Sequence, residues 1–193
     1  MPLDISIGIF AAMIVSRLFG MELSPLLVGL GIGFALLPDI DFLYALWRRG
    51  WRDTHAIIRH REYLHYPLVY VLISAAMAPS VGAAWAALFL LASMGHFIHD
   101  SIGLGWGVAW LWPFSNKSYT FLYRYTTPGK RLPRRFLYRW NREDMDHLID
   151  EYRDADWLRN IYLRLHPVFT VEIAGFMLAV YLLWRIGSAY AGN

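Results

Sequence analysis

The sequence contains no cysteine, so disulfides, thiolate metal ligands and a cysteine nucleophile are all excluded, and the compartment is not readable from redox usage. Lysine is nearly missing too, with two Lys beside sixteen Arg. Charge of either sign is sparse, at 17% of the residues against about 25% in an ordinary soluble domain. There is no internal repeat, low-complexity tract or Gly-rich phosphate loop. The N-terminus has no basic leader region and carries Asp4, which argues against a cleaved signal peptide.

What remains is apolar and unevenly distributed. The chain of 193 residues is 57% apolar, above the usual level of about 45–50%. Five apolar runs stand out, at residues 5–19, 23–37, 66–79, 81–98 and 168–184. A full crossing needs roughly 20 apolar residues, with a range of about 17–25. The last two runs meet that length and the first three are short. One such run in isolation reads as a soluble core helix, but five in a small chain read as a polytopic helical membrane protein. The expected fold is therefore all-α, with about five short apolar helices and a cytoplasmic amphipathic segment. Three regions follow: a membrane-embedded core (1–114), a basic and aromatic insert (115–166), and a C-terminal transmembrane helix with its tail (167–193).

The basic residues orient the chain. Arg48, Arg49, Arg52, Arg59 and Arg61 lie between the second and third runs, and eleven basic residues lie between the fourth and fifth. If all five runs cross, both basic stretches fall on one side, and the positive-inside rule makes that side cytoplasmic. Apolar positions at helical spacing predict an amphipathic helix over residues 142–165, suited to a headgroup layer or to packing on the bundle. Interspersed acids dilute the positive field there, so nucleic acid is a poor fit as a partner. The glycines of GLGIGF at 29–34 sit within an apolar run and predict a close helix contact.

Three motifs concentrate the unusual polar residues. Asp39 and Asp41 follow Pro38, which is expected to end the second helix. His60, Arg61, Glu62 and His65 precede the third run. His96, His99 and Asp100 end the fourth and share one helix face, since residues three and four apart are neighbours. Imidazole with carboxylate suits Zn, Mn or Fe(II) rather than Ca. Each motif alone has a bland reading: a cap or solvated turn for Asp-x-Asp, and chance for two His five apart. The five-crossing topology, however, puts all three on one membrane face, so one shared metal site is expected. Asp39 or Asp41 could bridge two ions, and His60 and His65 could ligate from another side. His55 is a weaker candidate, while His147 and His166 read as surface or interface residues.

At these residues the chain resembles the inner-membrane metal-dependent hydrolases of the YdjM family. That family's pattern is a Pro-Asp-x-Asp element, then His-Arg with a second His five residues after the first, then a His with an Asp four residues on. Here the matching positions are Pro38, Asp39 and Asp41; His60, Arg61 and His65; and His96 and Asp100. The resemblance covers roughly residues 30–114, including the aromatic stretch GLGWGVAWLWPF. The family is distantly similar to the all-helical zinc phospholipases C and single-strand nucleases, which implies phosphoester hydrolysis at a zinc site of two or more ions. Glu62 and Leu64 stand where the family often has Gly and Thr.

The reading that results is a membrane-bound hydrolase of a lipid or lipid-linked phosphoester at the cytoplasmic face of the inner membrane. Asp39, Asp41, His60, His65, His96, His99 and Asp100 are its expected metal ligands. Arg61 would hold the phosphate and Glu62 would act as general base. The alternative is a non-enzymatic metal-binding scaffold or partner-binding protein. Metal transport fits less well, because the ionisable groups lie at helix ends rather than at mid-membrane.

Overall fold

A computed structural model of the chain describes residues 2–49, 61, 63–103, 105–123, 135–152, 154 and 156–191. All five apolar runs are helical, and the protein is mostly α. Helix α1 is Pro2–Phe19. Gly20, at φ +64°, lets the chain leave it. Helix α2, Pro25–Leu36, starts where Ser24 accepts a hydrogen bond from the Leu27 amide at 3.2 Å, with proline at the first helical position.

The α-helix ends at Leu36, just before Pro38 as the sequence suggests, but the helical path continues beyond it. The chain passes through a 3-10 turn, Leu37–Asp39, into α3, Ile40–Arg49. Proline has no N–H, so the carbonyl of Phe34 four residues earlier loses its helical donor. Ser93 Oγ, on another helix, lies 3.4 Å from that carbonyl, while its shorter hydrogen bond goes to the Phe89 carbonyl at 2.7 Å. The polar Asp39 and Asp41 therefore sit within a long apolar element rather than beyond its end.

Helix α4 is Pro67–Val81 and α5 is Ala83–Asp100. They form a hairpin on Gly82, whose φ of +91° suits glycine. Ser74 Oγ donates to the Ala86 carbonyl at 2.8 Å across this hairpin. Tyr70 stacks on Phe89 and meets Phe97 edge-on. The long C-terminal helix, Pro167–Ala191, is numbered α8 below.

Among the described residues, three stretches are long and apolar enough to cross a membrane: Pro2–Phe19, Pro25–Arg48 and Pro167–Ser188. Helix α4 is apolar but shorter. Helix α5 has 18 residues and ends on His96, His99 and Asp100, which lower its hydropathy. It is the central helix, with α1, α2 and α4 packed around it, and α8 lies against α1. The core between α1, α2 and α5 includes Ala12, Val15, Leu27, Ala35, Leu88 and Ala92, all fully buried.

Helix α1 approaches its neighbours through glycine. A Cβ at Gly8 would fall on the Ile32 backbone, and one at Gly31 on the Gly8 carbonyl. Of the glycines in GLGIGF, Gly31 makes this contact, while Gly29 and Gly33 face open space. Small residues let backbones meet where no hydrophobic force drives helices together in lipid.

The region after α5 departs from the helical insert expected. Strands β1, Lys117–Phe121, and β2, Leu137–Asn141, pair antiparallel, with Thr120 opposite Tyr138. Tyr138 and Trp140 alternate inward with Trp106, over Met145 and Ile149, as a second small core. The hairpin is fastened to the end of α5: the Phe121 amide donates to Ser101 O at 2.6 Å, and the Gly103 amide to Phe121 O at 3.0 Å. The single amphipathic helix expected over 142–165 is broken into a 3-10 turn at Arg142–Asp144, helix α6, Met145–Tyr152, and helix α7, Trp157–Tyr162. Asp154 explains the break. Its carboxylate accepts from the Asp156 amide and from Asn160 Nδ2, both at 2.9 Å, and so competes with the helical ladder.

Candidate metal centre

The ionisable residues gather at one end of the bundle. This end holds the start of α1, the bend between α2 and α3, the segment entering α4, the end of α5 and the start of α8. Alternating helix directions put those five points together, although they lie far apart in sequence.

Four side chains converge there, each offering one atom: Asp39 Oδ1, His65 Nε2, His96 Nε2 and Asp100 Oδ2. The two His Nε2 atoms are 3.4 Å apart. Asp100 Oδ2 lies 3.2 Å from His65 and 3.6 Å from His96, and Asp39 Oδ1 lies 3.8 Å from His65 and 3.7 Å from His96. A tetrahedral site with zinc–ligand bonds of about 2.0–2.1 Å has edges of about 3.3–3.4 Å. The observed separations fall around that length, so this His/Asp cluster could hold a metal ion.

Burial and charge support the same fit. His65 and His96 are fully buried, and Asp100 is nearly so. Asp100 Oδ2 is buried with no hydrogen-bond partner among the described residues. Such a carboxylate oxygen is costly unless something positive answers it. Arg61 answers the other oxygen, with Nη2 2.9 Å from Asp100 Oδ1, and Nη1 donates to the Asp100 carbonyl at 3.3 Å.

Asp41 stands behind His65 rather than inside the cage. Its Oδ2 lies 3.3 Å from His65 Nδ1 and accepts from the Leu64 amide at 3.0 Å. This arrangement turns His65 Nε2 inward. Metal-ligating histidines characteristically use the second ring nitrogen in this way. His99 also stays out of the cage. Its Nδ1 is 2.9 Å from Asp4 Oδ1 and its Nε2 is 3.6 Å from Glu172 Oε1. His55, His60 and Glu62 lie outside the described residues. His147 is exposed and near Glu151, and His166 Nδ1 accepts from the Val168 amide at 3.3 Å.

Asp4 and Glu172, the carboxylates beside His99, belong to none of the three sequence motifs. Both are buried, at 2% and 4% exposure. Glu172 stands out in the sequence as a lone acid inside an apolar run, whereas Asp4 sits just before one.

Beside the cage, Arg61, Tyr66, Trp112, Asn116, Ser118 and Arg142 line a narrow cleft. Tyr66 packs on Trp112 with ring centroids 4.4 Å apart, and its hydroxyl accepts from Arg142 at 3.4 Å. Arg61 belongs to both the cleft and the cage wall. Outside the membrane-spanning helices, burial pushes the Tyr162 phenol up to about 12, and the carboxylates of Glu172 and Asp4 add to the shift.

The YdjM inner membrane protein family model matches residues 4–188, so the chain belongs to that family. It is also 29% identical to the inner membrane protein YbcI of Escherichia coli (strain K12), over 54% of this chain and 78% of that protein. No solved structure matches the chain.

Proposed function

We propose that this YdjM-family chain is a metal-dependent hydrolase of the inner membrane, acting on a phosphoester of a lipid or lipid-linked molecule at the cytoplasmic face. The observation that carries this reading is a buried cage of two imidazoles and two carboxylates whose wall, Arg61, also lines a cleft. The donor set suits zinc, with Mn and Fe(II) as further options. When bound, such an ion supplies Lewis acidity at the phosphoryl oxygen.

The chain's own residues supply the remainder. Asp39 is the most exposed of the four donors and sits furthest from the imidazoles, so it is the ligand best placed to yield room to a substrate. Arg61 presents a planar guanidinium suited to a phosphate. Arg142 adds positive charge across the cleft. His60 as a further ligand and Glu62 as general base belong to this reading as well. The cytoplasmic side follows from the Arg-rich segments that flank the site.

A second reading rests on a specific observation. Four protein donors near tetrahedral spacing also describe a closed structural site, whereas catalytic zinc keeps a position open. The chain would then be a metal-binding scaffold. The discriminating experiment assays detergent-purified protein, loaded with zinc, against phospholipids and soluble phosphodiesters, beside Asp39→Ala. Hydrolysis that is lost in a folded Asp39→Ala protein supports the enzyme. No hydrolysis across the panel, with a metal-dependent rise in Tm, supports the scaffold.

A further inference from the structure

Asp4 is placed oddly for a residue near the beginning of an apolar helix. It is 2% exposed, and one of its oxygens faces two imidazoles at once. Oδ1 is 2.9 Å from His99 Nδ1 and 3.2 Å from His96 Nδ1. Nδ1 of His96 is buried and has no hydrogen-bond partner among the described residues, the line to Asp4 being off-axis. Asp4 is nevertheless the carboxylate that stands next to it.

Each imidazole of the cage has a carboxylate beside its Nδ1, hydrogen-bonded at His65 and at ion-pair distance at His96. His65 has Asp41 at Nδ1 and His96 has Asp4 at Nδ1, while both Nε2 atoms point into the same space. A carboxylate at Nδ1 holds the proton there, fixes the tautomer that leaves Nε2 free to ligate, and raises the ring's basicity. The two carboxylates come from different helices: Asp41, on α3, reaches the segment entering α4, and Asp4, on α1, reaches α5.

We infer that Asp4 is a positioning residue of the metal centre: it orients His96 Nε2 into the cage, making the first turn of α1 part of the site. The inference rests on the metal-binding reading above. It extends that reading to a helix that carries none of the recognised motifs. Glu172, which faces His99 rather than His96, lies one step further out and serves as the control.

The test measures zinc affinity of the full-length, detergent-purified protein by chelator competition, for wild type, Asp4→Asn and Glu172→Gln. The visible absorption of bound Co(II) is recorded in parallel. Asp4→Asn is expected to bind zinc about 10–100-fold more weakly and to shift the Co(II) bands. Glu172→Gln is expected to stay within about threefold of wild type with unchanged bands. Wild-type affinity in Asp4→Asn overturns the inference. So does equal loss in both variants, because the effect then belongs to packing of the bundle end. Failure of wild type to bind zinc or cobalt instead removes the underlying metal reading. Should Asp4→Asn not fold, the imidazole 15N spectrum of the zinc-loaded wild type decides: His96 protonated at Nδ1 and metallated at Nε2 supports the role, and metallation at Nδ1 overturns it.

Discussion

Asp41 Oδ2 lies 3.3 Å from His65 Nδ1 and holds the Leu64 amide as well, so one carboxylate fixes both the ring and the backbone that carries it. The contact joins α3 to the segment entering α4. It also separates the two acids of the Asp-x-Asp motif by role: Asp39 faces the cage and Asp41 faces the back of a histidine. Asp41→Asn is expected to weaken zinc binding about 10–100-fold while leaving a site that still fills at high zinc. His65→Ala is expected to abolish specific binding. Chelator competition on the purified variants measures both, and equal affinities for Asp41→Asn and wild type would remove Asp41 from the centre.

The close contact of α1 with α2 gives a prediction within one motif. Gly31→Ala places a methyl on the Gly8 carbonyl, and the backbone there cannot give way cheaply. Overpacking of this kind costs about 1–3 kcal/mol or more. Gly29→Ala and Gly33→Ala meet open space and gain helix propensity of up to about 1 kcal/mol. Thermal unfolding in detergent should rank Gly31→Ala well below wild type and the other two at or above it.

Much of this arrangement was legible in the sequence because it is local. The apolar runs and the shared face of His96 and Asp100, four residues apart, each depend on neighbours in the chain. The distant motifs meet at one end because helix direction alternates along the chain. Asp4 was not legible as a site residue, because its partner His99 lies 95 residues away and a single acid near a helix start looks like a dipole-compensating residue. The hairpin was missed because β1 and β2 have five residues each and are stabilised by Trp106, Met145 and Ile149 rather than by their own propensity. The break at Asp154 was hidden because helical spacing of apolar residues continues across it.

Arg61 couples the cage to the cleft, and under the hydrolase reading it contacts the phosphoryl group. Arg61→Ala should lower kcat/KM on a cleaved phosphoester about a hundredfold, the scale of losing one fixed donor to developing charge. Arg61→Lys keeps the charge without the planar fork and should recover only part of this. Zinc content should stay near wild type in both. Loss of zinc in parallel with activity would make Arg61 a support of Asp100 and nothing more.

Tyr162 supplies a pH dependence outside the metal centre. Its phenol is raised from the ordinary 10.0 to about 12, chiefly by burial. The folded chain favours the neutral phenol, so this contribution is whole below about pH 10 and is lost as pH climbs toward 12. Tyr162→Phe should show a shallower fall in stability between pH 10 and 12 than wild type, measured by denaturation at each pH. Identical slopes would place the phenol in water.

The measurement with the greatest reach is the metal content of detergent-purified wild type beside His96→Ala, by plasma mass spectrometry. Near-stoichiometric zinc, manganese or iron in wild type, falling sharply in His96→Ala while helicity by circular dichroism is kept, is the outcome expected from the four converging donors. A wild type that purifies without metal and takes up none when zinc, manganese or iron is added would contradict it, leaving the buried cluster as a network of ion pairs that holds the bundle end together.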